Sequence, residues 1–250
     1  MKKLINLFET FFKVLLSKKP SFSNNYDNNQ PYLLLEGIKV TLFITFLSCF
    51  ISFFIGLLGG IFLYLSKIHK KKKTYFIINF FVNIIISTPY LLLFIFILDF
   101  ILRPFFNLNY GFNVGLILLS LIVSALFSKH CEQVFLQTNP ELYSTAFTLG
   151  ANNKQFITLF LLPEAKPYII LKLNYLFISS LAYSNVLGFI GIDGIGSIAY
   201  KYGYEGHEEF KPQGFSDFDL IWSCILIVFI LVQLFNLIID FIYNKLDKNK

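Results

Sequence analysis

Five stretches of the chain run without Asp, Glu, Lys, Arg or His for longer than the ~18 residues that mark a membrane-crossing helix. They cover residues 40–65, 75–98, 105–128, 173–192 and 220–239. In hydrocarbon every backbone N–H and C=O must find its partner inside the segment, so these stretches are expected as α-helices rather than open strands. The third begins with Asn107, Asn109, Tyr110 and Gly111, which read as loop, so its helix is expected to start near Asn113. Composition agrees, because 56% hydrophobic and 14% charged residues cannot cover a water-soluble domain of this size. The expectation is an all-α integral membrane protein with five transmembrane helices, multi-pass in the plasma membrane.

Lysines set its orientation. Lys67, Lys70, Lys71, Lys72 and Lys73 crowd the connection between the first two spans, which is a strong cytoplasmic signal. Alternation then places 128–167 and the tail with Lys245, Lys248 and Lys250 inside, and 193–219 outside. That outer loop is acidic, with Asp193, Glu205, Glu208, Glu209, Asp217 and Asp219 against Lys201 and Lys211. The net charge of +6 is therefore spent on topology, and no nucleic-acid partner is expected, since the lysines lie between apolar runs rather than on a soluble face.

Residues 1–20 do not fit the alternation. They carry Lys2, Lys3, Lys13, Lys18 and Lys19 but fall outside if five spans follow. Leu4, Phe8, Phe11 and Leu15 recur at helical spacing, and the apolar stretch of ~13 residues spans ~20 Å, short of a ~30 Å hydrocarbon core. An amphipathic helix lying in the interface is expected, with a sixth span or a cleaved signal as the alternatives, followed by an Asn/Ser-rich linker at 21–30. The domain reading is residues 1–32 for this helix and linker, 33–243 for the transmembrane domain, and 244–250 for a cytoplasmic tail.

Catalysis at membrane depth needs paired acids, a His-Glu-x-x-His motif or a Ser/His constellation, and none occurs inside the five spans. A phosphate-binding Gly-x-x-x-x-Gly-Lys-Ser/Thr loop is absent too. The chain is therefore expected to be neither a membrane enzyme nor an ATPase, with a structural scaffold as the other non-transport reading. Cys49, Cys131 and Cys224, like His69, His130 and His207, lack ligand spacing, so no metal site is expected.

The inside loop between the third and fourth spans carries the functional signal. Residues 141–163 read as two short helices joined at Gly150, where a side chain would obstruct the turn, and ended by Pro163. On its own the stretch also reads as an ordinary amphipathic loop. It resembles the coupling loop of ABC importer permeases, whose pattern is Glu-Ala-Ala, three residues, Gly, nine residues, Ile, one residue, Leu-Pro. The triplet falls on Ser144, Thr145 and Ala146, the glycine on Gly150 before Ala151, and the Leu-Pro on Leu162 and Pro163. Ser144 replaces the family's Glu and Phe160 its Ile.

Further elements are similar to the methionine-importer permease family in particular, in order along residues 33–242. They are Glu36-Gly37 with Gly56, Gly59 and Gly60 in the first span, Ser87-Thr88-Pro89-Tyr90, Leu162-Pro163-Glu164-Ala165, Tyr183-Ser184 with Gly188, Gly191, Gly194 and Gly196, and Tyr202-Gly203-Tyr204. Residues 1–32 have no counterpart, and 205–216 contain an insertion. The resemblance implies a type I ABC importer transmembrane domain that translocates methionine, with phosphonate or another small polar solute as the alternative. It implies a homodimer of permease chains, two ATPase subunits that bind ATP and Mg, and an extracellular substrate-binding lipoprotein. Pro89, Tyr183, Ser184 and Asn185 are then candidates for the translocation path. For Gly56, Gly59 and Gly60, close helix packing is the expected role.

Overall fold

The structure is a computed structural model that describes residues 2–17, 32–205 and 216–246. The linker at 21–30, most of the insertion and the end of the tail lie outside them. The long elements are all helical.

Helices α2 (Leu33–Ile68) and α6 (Phe112–Gln137) form the central pair. Ser52, Gly56 and Gly60 recur every fourth position on α2 and meet Ser120, Ser124 and Ser128 on α6. The Ser52 hydroxyl donates to the Ser120 carbonyl at 3.0 Å, and a Cβ on Gly60 would lie 2.4 Å from that of Cys131. Small residues let two backbones approach where lipid offers no hydrophobic drive for association. Contacts advance in the same sense along both helices, so the first and third spans run parallel, as alternation requires.

The expected second span is not straight. Helix α3 (Lys72–Ser87) meets the arm made of α4 (Tyr90–Ile97), a π-turn at Leu98–Leu102 and α5 (Arg103–Phe106) at 112°. Pro89 has no N–H for the helix ladder and disfavours helical geometry at the residue before it; Thr88 is accordingly extended, with ψ 133°. At the outer end of this arm Arg103 pairs with Asp99 one turn earlier. Helix α6 starts at Phe112, close to the expected Asn113, but runs past Ser128 to Gln137 and so carries Lys129 and Glu132.

Helices α2, α6 and α11 (Asp217–Leu246) are each long and apolar enough to cross a membrane, and the two arms of the bent pair are so only when taken together. The remaining expected span begins in α9 (Leu162–Ser184), whose inner half holds Glu164, Lys166 and Lys172, and continues as 3-10 turns to Ile190. The chain then reverses at Gly191 and re-enters through α10 (Ile195–Ile198) and a π-turn at Ala199–Tyr204. Helix α9 joins α2 through a buried Ser48–Ser180 hydrogen bond of 2.6 Å, and Phe177 stacks on Phe235 of α11 with centroids 3.9 Å apart.

The N-terminal segment forms helix α1 (Lys2–Leu15). Its Phe11 and Val14 are buried with Leu33, Leu34, Ile195, Ile198 and Leu220 at the outer end of the bundle.

Candidate functional site

The inside loop is a helix-turn-helix with its backbone ends satisfied. Helix α7 (Glu141–Thr148) closes at Gly150, which takes φ +80°. The Ala151 N–H donates to the Ala146 carbonyl and the Gly150 N–H to that of Phe147, both at 3.0 Å. This double bond pattern with a left-handed residue is the Schellman C-cap, for which glycine is preferred. Next, the Asn152 side chain accepts from the Gln155 N–H while the Gln155 side chain accepts from the Asn152 N–H, each at 2.9 Å. That reciprocal box starts α8 (Asn153–Gln155).

Pro163 does not end the second helix, contrary to the sequence expectation. A π-turn at Phe156–Leu161 leads into α9, and Pro163 occupies the first turn of that helix, where a missing N–H is tolerated. The loop therefore passes without a break into a transmembrane helix.

An aromatic cluster fixes the loop to the bundle. Phe156 is fully buried, with its ring centroid 5.2 Å from Tyr143 and 6.5 Å from Tyr64 of α2, and Tyr64 lies 5.7 Å from Phe135 of α6. Such pairs prefer defined orientations and add to the hydrophobic gain. Ala146 and Ala165 are buried beneath the loop. Ser144 and Thr145 face outward, the former bonding its own helix at the Glu141 carbonyl; Ala151 and Leu162 are half-buried and Pro163 is exposed. Leu149, not singled out from the sequence, is 72% exposed beside Gly150. An apolar knob on a polar turn is the signal that could have marked it.

The path candidates divide. Tyr90, the residue after Pro89, stacks on Tyr183 with centroids 4.4 Å apart and planes 13° apart, so the break in the second span meets the end of α9. Pro89 itself is exposed. Ser184 is buried and donates to the Leu181 carbonyl of its own helix, whereas Asn185 is exposed and abuts Gly196. Among the described residues no three His, Cys, Asp or Glu side chains gather as a metal site.

The loop is thus a capped helix-turn-helix on one face of a multi-pass membrane domain, and it runs on into α9. Residues 52–250 match the binding-protein-dependent transport system inner membrane component family, and the chain belongs to it. It is a membrane-spanning permease component of an ABC importer; ATP hydrolysis lies in a separate subunit.

The D-methionine transport system permease protein MetI of Escherichia coli (strain K12) is 30% identical over 160 residues, 63% of this chain and 73% of that one. The probable D-methionine permease MetI of Pasteurella multocida (strain Pm70) is 28% identical over 170 residues, 65% and 76% of the two chains. A structure of the MetNI methionine ABC transporter in an inward-facing conformation matches with TM-score 0.78 at 27% identity, covering 87% of this chain and 97% of that one. The fold is shared by a bacterial alginate ABC transporter, with TM-score 0.61 at 18% identity over 99% and 89% of the chains.

Proposed function

We propose that two copies of this chain form the path of a methionine importer, with ATPase subunits gripping the two α7–α8 loops and an external binding protein delivering the solute. The carrying observation is the unbroken run from α8 through the π-turn into α9, which joins the exposed handle to the Tyr183–Tyr90 stack. ATP and Mg bind to the ATPase subunits. Their closure moves the handles and opens the path outward, and hydrolysis resets it. The solute contributes by binding one state better than the other, without which no coupling exists.

Methionine is supported by the relatives and by the chemistry beside Tyr183. No Lys or Arg occurs from 173 to 192, the stretch that carries Tyr183. A doubly charged phosphonate held in such surroundings would be left unpaired at high cost, whereas a zwitterion with a thioether tail needs balanced polar groups and an apolar wall.

Uptake of labelled methionine into vesicles carrying the assembled complex tests the reading. ATP-dependent uptake of both enantiomers, with no uptake of methylphosphonate, is expected. Transport of methylphosphonate without transport of, or competition by, methionine would refute the substrate while leaving the permease assignment in place.

A further inference from the structure

Helix α3 has no buried residue, yet it is held to α6 by a half-buried polar cluster. Glu132 is 2% exposed and both of its oxygens are engaged. The Tyr75 hydroxyl donates to Oε1 at 2.8 Å, and Lys129 Nζ lies 2.5 Å from Oε2. Lys129 also donates to Oδ1 of Asn79, one turn along α3 from Tyr75, so two side chains on one face of α3 grip an i,i+3 ion pair on α6. The Tyr75 ring adds a third helix, because Lys67 Nζ at the end of α2 sits 5.8 Å from its centroid, with Lys129 at 6.0 Å. Cations at such distances are attracted to the ring face. A carboxylate as buried as that of Glu132 is costly unless paired, so its full engagement points to a role.

Location supplies the role. Glu132 stands near the inner end of α6, which leads through Thr138 directly to α7. At its other end α3 breaks at Thr88–Pro89 into α4, whose first residue, Tyr90, stacks on Tyr183. The geometry points to the Tyr75–Asn79–Lys129–Glu132 clasp as a positioning device that carries handle motion into α3 and onto the Tyr90 side of the stack, while α9 carries it to the Tyr183 side. Packed side chains and hydrogen bonds between rigid elements transmit displacement in this way when the elements have two arrangements. This inference rests on the reading of α7–α8 as the gripped handle.

Spin labels on the assembled complex, read by distance measurement, test both. A pair at positions 80 and 230 follows α3 against α11, and a pair at 148 and 230 follows α7. Both distances are expected to shift between the nucleotide-free and the ATP–vanadate states. In Tyr75→Phe and Glu132→Gln the 148–230 shift should remain, the 80–230 shift should vanish, and methionine uptake per ATP hydrolysed should fall roughly tenfold, a coupling of ordinary size. Should either variant fail to assemble, the exchanged pair Lys129→Glu with Glu132→Lys decides: Asn79 and Tyr75 can each reverse donor and acceptor roles, so the 80–230 shift should persist in it. Loss of that shift in the exchanged pair, its survival in the single variants, or its absence from the unaltered complex overturns the clasp. A 148–230 distance that ignores nucleotide in the unaltered complex overturns the handle reading instead.

Discussion

Neighbouring glycines on α2 illustrate how much one methyl group can weigh at a helix interface. A Cβ on Gly60 would lie 2.4 Å from the Cβ of Cys131 and 2.9 Å from the Ser128 carbonyl oxygen, both tied to the α6 backbone. At Gly59 the closest atom is the Ser128 hydroxyl, also at 2.4 Å, which can rotate at the cost of its bond to the Ser124 carbonyl, and the Ser128 Cβ follows at 3.1 Å. Overpacking that forces backbone apart costs ~1–3 kcal/mol, so Gly60→Ala is expected to lose about that much stability and Gly59→Ala distinctly less. Reversible unfolding in mixed detergent micelles measures both, and equal losses would show that α2 and α6 do not meet as described. The clasp works at the same scale, since Glu132 is held by single atoms from two side chains, Tyr75 and Lys129.

Among elements, the long apolar helices were legible as uncharged runs, and the end of α7 as the turn at Gly150. Other features depend on distant partners that local periodicity does not contain. Helix α6 outruns its apolar stretch because Glu132 buries its charge against Tyr75 and Lys129, so the first charged residue is not where the helix stops. Pro89 stood in the sequence as a path candidate, and the 112° break beside it appears only in the fold. Pro163 was read as a stop because proline obstructs a helix interior; the π-turn before it instead places it in a first turn. The helix-turn-helix around Gly150 was visible through spacing, whereas the Tyr90–Tyr183 stack joins residues far apart in sequence and required the fold. For the N-terminal helix the apolar spacing was legible, while its docking on α10 and α11 was not.

The whole molecule has two distinct ends. His69, next to the lysine run, contacts Tyr143 of α7, so the lysines and the handle share one face; Asp193 and Tyr202 cluster with Leu33 and Glu36 at the other. By the positive-inside rule the first face is cytoplasmic. In a variant lacking Cys49, Cys131 and Cys224, a membrane-impermeant thiol reagent added outside should modify Tyr204→Cys and spare Asn152→Cys; the reverse pattern would invert the topology. With that orientation, the proposed reading of α7 and α8 as the gripped loop puts the driving force on the cytoplasmic face. Gly150 offers the cleanest test, because no atom lies within 4 Å of its Cβ position and only its φ of +80° opposes substitution. Asn tolerates left-handed geometry better than other side chains and Leu does not. The account predicts that Gly150→Leu leaves an inserted permease with methionine uptake and substrate-stimulated ATP hydrolysis both reduced at least ~10-fold, a loss of ~1.4 kcal/mol or more in coupling, while Gly150→Asn retains most of both. Unaltered uptake and stimulated hydrolysis in a correctly inserted Gly150→Leu complex would contradict it.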